Sequence, residues 1–212
     1  MNECMKRLNQ AASIPNELNR RLAVCSVVSK AFADRGLFEP VLVGGTAVAL
    51  YTKGRYATVD IDLKSEDVDG YKAIMTELGF VKIGKDYYHS AIDIYIEFPS
   101  GRMEDSEQHM REMIVPETGL PIVVVGIEDV ILDRTMRFDA TKDQDAREWA
   151  LRMMGIHYDE LDWSYLHRRA GELRILEVVN RIQRDVKRYK GVYRSVKEKA
   201  EKFGPSGEGS DE

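Results

Sequence analysis

The sequence predicts an α+β fold: a small mixed β-sheet with flanking helices, followed by a C-terminal helical module. Three observations carry this expectation. Short apolar runs suited to strands are confined to the first 126 residues: VLV at 41–43, the stretch 58–63, AIDIYIEF at 91–98 and IVVV at 122–125. Helical segments fall between them without clean alternation, which favours a mixed sheet over a doubly wound parallel one. Beyond Gly126 only the three- and four-residue apolar spacing of helices remains. The expected organisation is an α/β domain over 1–126 with an N-terminal helix, a helical module over 127–203, and a disordered Gly/Ser/acid-rich tail over 204–212.

Each element follows from its local pattern. Residues 17–35 place Leu18, Leu22, Cys25, Val28 and Phe32 at helical spacing, with Asn16 to cap the helix and Gly36 to end it. VLV is a short buried strand after Pro40. Gly44-Gly45 turns the chain, Thr46 to Lys53 suits a helix, and Gly54 stops it. Thr58 to Leu63 is the next strand, with Val59, Ile61 and Leu63 on its buried face. Asp67 to Leu78 reads as a helix ending at Gly79. Phe80–Ile83 and Tyr87–His89 read as pieces of a strand or a hairpin around Gly84-Lys85-Asp86. AIDIYIEF alternates strictly, with Ile92, Ile94 and Ile96 to one side and Asp93, Tyr95 and Glu97 to the other. The polar stretch 99–119, with Pro99, Gly101 and Pro116, reads as a loop or short excursion. Helices are expected over 128–138, 143–154, 159–169 and 171–203. The last carries a heptad seam through Ile182, Val186, Tyr189, Tyr193, Val196, Ala200 and Phe203.

Composition narrows the function classes. The 43% hydrophobic and 32% charged residues of this 212-residue chain support a packed core and a solvated surface. A net charge of −5, with no basic stripe standing apart from neighbouring acids, makes general nucleic-acid backbone binding a poor first expectation, although a local basic patch would serve a nucleic-acid end. Cys4 and Cys25, two widely spaced thiols in a core-forming sequence, read as reduced and cytoplasmic. The N-terminus lacks a signal-peptide stretch, and no segment has the apolar length that spans a bilayer. No P-loop or dinucleotide-binding motif is present. His109, His157 and His167 are too scattered for a zinc site, with no Cys at ligand spacing to them, and the lone His89 before the third strand reads as structural.

The residues with a chemical signature are Asp60 and Asp62. Two apart on a strand, they share one face, and their repulsion calls for a positive partner. A divalent cation that also grips phosphate oxygens is such a partner. Asp93, on a later strand, offers a third carboxylate and a general base for an incoming hydroxyl; Glu97 lies on the same face as Asp93. Gly44 and Gly45 let backbone N–H groups approach a phosphate without a Cβ in the way. The helix from Thr46 turns its positive end to that anion, and Thr46 adds a hydroxyl. Arg55, between helix and strand, and Arg134, on the first helix after the sheet, are further candidates for phosphate contact.

The runs VGGTAVAL, GRYATVDIDL and AIDIYIEF together resemble the nucleotidyltransferase (polymerase-β-like) superfamily, with Gly44, Gly45, Asp60, Asp62 and Asp93 on its pattern positions. The form of these runs is closest to bacterial and archaeal nucleotidyltransferases of toxin–antitoxin and abortive-infection systems. GIEDVILDRTMRFDATKDQD resembles the helix that follows the catalytic sheet there, with Arg134 where that pattern has lysine. The resemblance covers residues 38–154. It implies a nucleotidyltransferase-type sheet and Mg²⁺- or Mn²⁺-dependent transfer of a nucleoside monophosphate, foremost AMP from ATP, to a hydroxyl of a protein, RNA or small molecule. Asp60, Asp62 and Asp93 would be catalytic and metal ligands; Gly44, Gly45, Thr46, Arg55 and Arg134 would bind the nucleotide. The alternative is a nucleotidyltransferase-like binding protein of a toxin–antitoxin pair, with an antitoxin-like partner or a second copy of itself and little or no catalysis.

Overall fold

The computed structural model describes residues 2–99 and 109–202. The chain forms two compact units, Met1–Leu50 with Tyr56–Gly126, and Tyr51–Arg55 with Ile127–Glu212. Among the described residues it contains eight helices and one mixed seven-stranded sheet. The expected tail, and residue 203 of the expected seam, lie outside the described residues, as does much of the expected loop 99–119.

In the first unit the helices are α1 (Asn2–Ala11), α2 (Glu17–Ala33), α3 (Gly44–Tyr51) and α4 (Val68–Glu77). The strands are β1 (Val41–Val43), β2 (Asp60–Lys64), β3 (Val81–Ile83), β4 (Asp86–His89), β5 (Ile94–Glu97), β6 (Arg111–Val115) and β7 (Leu120–Val124). They lie in the order β3-β4-β5-β2-β1-β7-β6. β1 pairs with β2 antiparallel and with β7 parallel; β2 pairs with β5 parallel; the remaining pairs are antiparallel.

α2 begins where Asn16 accepts the Asn19 N–H at 3.0 Å. It ends where the Leu37 N–H reaches the Phe32 carbonyl and Gly36 takes a φ of +67°. It is not the one-sided helix its apolar spacing predicts. From Arg21 to Phe32 all but Lys30 are buried. The run LAVCSVVS over 22–29 has no charged face, and its small Ala and Ser residues let neighbours approach on every side. α1 has no counterpart in the expected elements; it buries Cys4, Leu8 and Ala11 at one-turn spacing.

Two strand readings change. Val59 is 80% exposed and precedes β2, so only Ile61 and Leu63 bury that strand. The stretch read as a loop holds β6, joined to β7 through a turn in which the Gly119 N–H donates to the Val115 carbonyl at 2.8 Å. β6 is an edge strand with Arg111, Glu112 and Ile114 exposed, so the alternation that reveals a half-buried strand is missing.

The second unit contains α5 (Ile127–Thr141), α6 (Gln144–Ile156), α7 (Trp163–Glu172) and α8 (Leu176–Lys202). Asp143 caps α6 by accepting the N–H groups of Asp145 and Ala146. Asp162 caps α7 by accepting the Tyr165 N–H at 2.9 Å. A helix starting at residue 171 does not form: Arg174 adopts a φ of +60° and separates α7 from α8. On α8, Ile182 and Val186 are fully buried but Tyr189 is 56% exposed, so the buried seam stops there within the residues whose side chains are described.

Candidate active site

β1 passes directly into α3, so the glycine pair is the first turn of that helix rather than a separate loop. Gly44 has a φ of +62°, and a Cβ on it would lie 1.8 Å from Asp62 Oδ2. A Cβ on Gly45 would lie 2.6 Å from Thr58 Oγ1. Both glycines are therefore required by the close approach of the Asp62 and Thr58 side chains. The Gly45 N–H donates to Asp62 Oδ2 at 3.2 Å, setting that carboxylate at the positive end of α3.

Asp60 is held from two sides. The buried Thr46 hydroxyl donates to its carbonyl at 2.7 Å, and Thr58 Oγ1 donates to its Oδ1 at 2.7 Å. These contacts lock the strand end whose alternation, with Ile61 inward and fully buried, turns Asp60 and Asp62 outward together.

The third acid beside them is Glu97. The parallel register pairs Asp60 with Tyr95 and Asp62 with Glu97. Asp93 lies just outside β5 in a turn, exposed, with a φ of +50°, and its Oδ1 accepts the Tyr88 hydroxyl at 3.1 Å. Sequence alternation places both acids on one side; the pairing register is what distinguishes them.

The charge balance is visible in Asp62, whose pKa is pushed up to about 6. Burial is the main cause and the negative charge of Asp60 the next; Glu97 adds to the rise, and the Gly45 N–H and Lys85 oppose it. Lys85 comes from the β3–β4 turn and places Nζ 2.5 Å from Glu97 Oε2. It supplies a positive charge to the acid cluster.

Among the described residues, no three His, Cys, Asp or Glu side chains converge as a preformed metal-ligand set. A Mg²⁺ ion commonly uses one or two carboxylates, with water and phosphate completing its shell. Asp60 and Asp62 match that donor set, two carboxylates turned to one side of β2 with Asp62 against the first turn of α3. The residues present thus fit a hard divalent cation.

The other predicted residues belong to the second unit. Arg55 is exposed, and its N–H closes a turn on the Thr52 carbonyl at 3.3 Å. Arg134 is buried on α5, with Nη1 3.7 Å from Asp133 Oδ2. The acids of the post-sheet segment are engaged structurally. Glu128 accepts the Asp162 N–H at 2.9 Å, Asp129 accepts the Tyr165 hydroxyl at 2.8 Å, and Asp143 caps α6 while pairing with Arg137 at 2.8 Å. His89 is a core residue edge-on to Phe80, its pKa lowered by burial. Cys4 and Cys25 are both free and buried, and burial pushes the Cys25 thiol up to about 12, far from a reactive thiolate.

Comparison with protein-family models, with curated proteins and with solved structures finds no match to this chain. No helix among the described residues is long and apolar enough to cross a membrane.

Proposed function

We propose that this protein is a divalent-metal-dependent nucleotidyltransferase that moves a nucleoside monophosphate, AMP from ATP, to an acceptor hydroxyl. The observation that carries this reading is the outward Asp60–Asp62 pair on β2, set against the glycine start of α3 and in register with Glu97. A bound Mg²⁺ would neutralise phosphate charge and orient the α-phosphorus. Asp60 and Asp62 are the residues to hold it. Gly44 and Gly45 leave backbone room for the β- and γ-phosphates at the positive end of α3. In the transfer the acceptor oxygen bonds the α-phosphorus as the α–β bridging P–O bond breaks, releasing pyrophosphate. Glu97, on the β5 side of the pair, receives the hydroxyl proton. The test is calorimetric titration of ATP with Mg²⁺, together with labelled-nucleotide incorporation in lysate. Binding and incorporation are expected for the unaltered chain and lost in Asp60→Asn; absence of both in the unaltered chain removes the proposal.

A second reading keeps the fold without turnover, as a binding protein of a toxin–antitoxin pair. The observation favouring it is Lys85, whose ammonium already serves the acid cluster. A stable partner whose capture survives Asp60→Asn and Glu97→Gln, with no incorporation, would favour this reading over the first.

A further inference from the structure

We propose that the first turn of α2 seats a phosphate-class oxyanion, held by the buried Arg21 guanidinium and the unused N–H groups of Glu17 and Leu18. The site lies within the first unit and does not depend on the transfer reading above.

Arg21 breaks the rule for buried charge. Only 7% of the residue is exposed, yet its Nε has no hydrogen-bond partner. Its ionic neighbour is Glu17, with Arg21 Nη1 3.7 Å from Glu17 Oε2. That separation is too long for a hydrogen bond. The Glu17 side chain is 72% exposed, so water screens the attraction that remains. A buried cation needs a closely hydrogen-bonded partner to offset its desolvation, and among the described residues Arg21 has none. Its field reaches the helix interior. Burial pushes the Cys25 thiol up, and the Arg21 guanidinium is the foremost influence opposing that rise.

The head group is aimed at the start of the helix. Arg21 is in the second turn of α2, and its approach to Glu17 places the guanidinium back over the first. This is the positive end of a 17-residue helix, where a cation is disfavoured and an anion favoured. Backbone donors are free at the same place. Asn16 accepts the Asn19 N–H, and the Arg20 N–H returns to the Asn16 carbonyl at 2.9 Å. The N–H groups of Glu17 and Leu18 make no hydrogen bond among the described residues. Arg20 adds a second buried Nε without a partner.

The donor set selects the ligand. A guanidinium fork and two backbone N–H groups offer no acceptor, so the occupant brings acceptors and negative charge. A tetrahedral phosphate serves both sets at once. The planar fork takes two of its oxygens, and the helix N–H groups take another. The exposed Glu17 side chain swings out to water as the anion enters. Inorganic phosphate and the phosphate of a nucleotide share this chemistry.

The experiment is scanning calorimetry of the unaltered chain, Arg21→Met and Arg21→Lys in phosphate and in chloride of equal ionic strength. Titration calorimetry of phosphate and of ADP, both in EDTA, accompanies it. Phosphate at about ten times its Kd is expected to raise the melting temperature of the unaltered chain by about 3–6 °C. Arg21→Met should lose that shift, and Arg21→Lys, with charge but no fork, should keep part of it. In chloride, Arg21→Met should melt no lower than the unaltered chain, because it removes a buried charge without a close partner. Equal melting of the unaltered chain in phosphate and chloride overturns the proposal, and that comparison needs no variant. A phosphate shift unchanged in Arg21→Met overturns it too. So does an Arg21→Met protein that melts lower or fails to fold in chloride, which would assign Arg21 to a structural pair with Glu17. ADP binding more tightly than phosphate, and lost in Arg21→Met, supports the site with a nucleotide as the source; equal affinities, likewise lost, support it with the free anion.

Discussion

Asp62→Asn should make the protein more stable at neutral pH and no more stable in acid. The raised pKa of Asp62 means that the folded state favours its protonated form. Its contribution is therefore fully present below the ordinary aspartate value of 3.8 and is lost as pH rises through about 6. A rise of that size corresponds to about 3 kcal/mol. The carboxylate is partly open to water, so screening reduces this to roughly 1.5 kcal/mol. Asparagine keeps the shape and the acceptor for the Gly45 N–H but removes the charge that Asp60 and Glu97 repel. For a chain of this length the gain is worth about 3–6 °C in melting temperature. Scanning calorimetry in EDTA from pH 4 to pH 8 is the assay. The two proteins should melt together near pH 4 and diverge through pH 5–7, with the variant higher at pH 7.5. Parallel melting curves across that range, or a variant less stable at pH 7.5, would refute the electrostatic reasoning.

Three further outcomes follow from the same geometry. Gly44→Ala forces a Cβ into a left-handed backbone and onto the Asp62 carboxylate, and should cost on the order of 3 kcal/mol, read from the urea midpoint. Lys85→Met removes the competing cation and should tighten Mn²⁺ binding about 5-fold, the equivalent of a surface ion pair near 1 kcal/mol, measured by paramagnetic resonance. Glu97→Gln should lower nucleotide transfer at least 100-fold, the scale of a lost general base.

What the sequence reveals depends on whether the deciding interaction is local. β2, β4 and β5 are legible because Ile61, Leu63, Tyr87, Ile94 and Ile96 alternate with residues that face outward. The hairpin at Gly84-Lys85-Asp86 is legible from its glycine. β6 is not, because an edge strand with Ile114 outward lacks the pattern that a buried face imposes. The DxD pair is visible as a spacing of two, but its third acid is not. Asp93 and Glu97 have the same parity, and only the pairing of β2 with β5 brings Glu97 beside Asp62. The left-handed turn at Asp93 leaves no mark in AIDIYIEF. The glycine pair is visible as a place where backbone comes close to something; that Asp62 itself occupies the space emerges only when β1 and β2 are paired.

The arrangement around these acids argues that the charge is wanted. Asp60 receives a hydroxyl and Asp62 a backbone N–H, both neutral donors, while no buried arginine or lysine compensates either carboxylate in the first unit's described contacts. The cation paired with Glu97 at the cluster, Lys85, sits on a hairpin turn with 71% of its side chain exposed, so it can withdraw without opening the core. A cluster built for stability alone would replace Asp62 by a neutral residue or pair it with a fixed guanidinium, since either offsets the burial and the repulsion that raise its pKa. Keeping two glycines under strain-prone geometry so that a repelled carboxylate can lie against them works against stability at both ends. Local rules broken together at one place mark a functional site more firmly than any one of them alone, and under the proposed nucleotidyl transfer the charge that would answer Asp60 and Asp62 is a divalent cation.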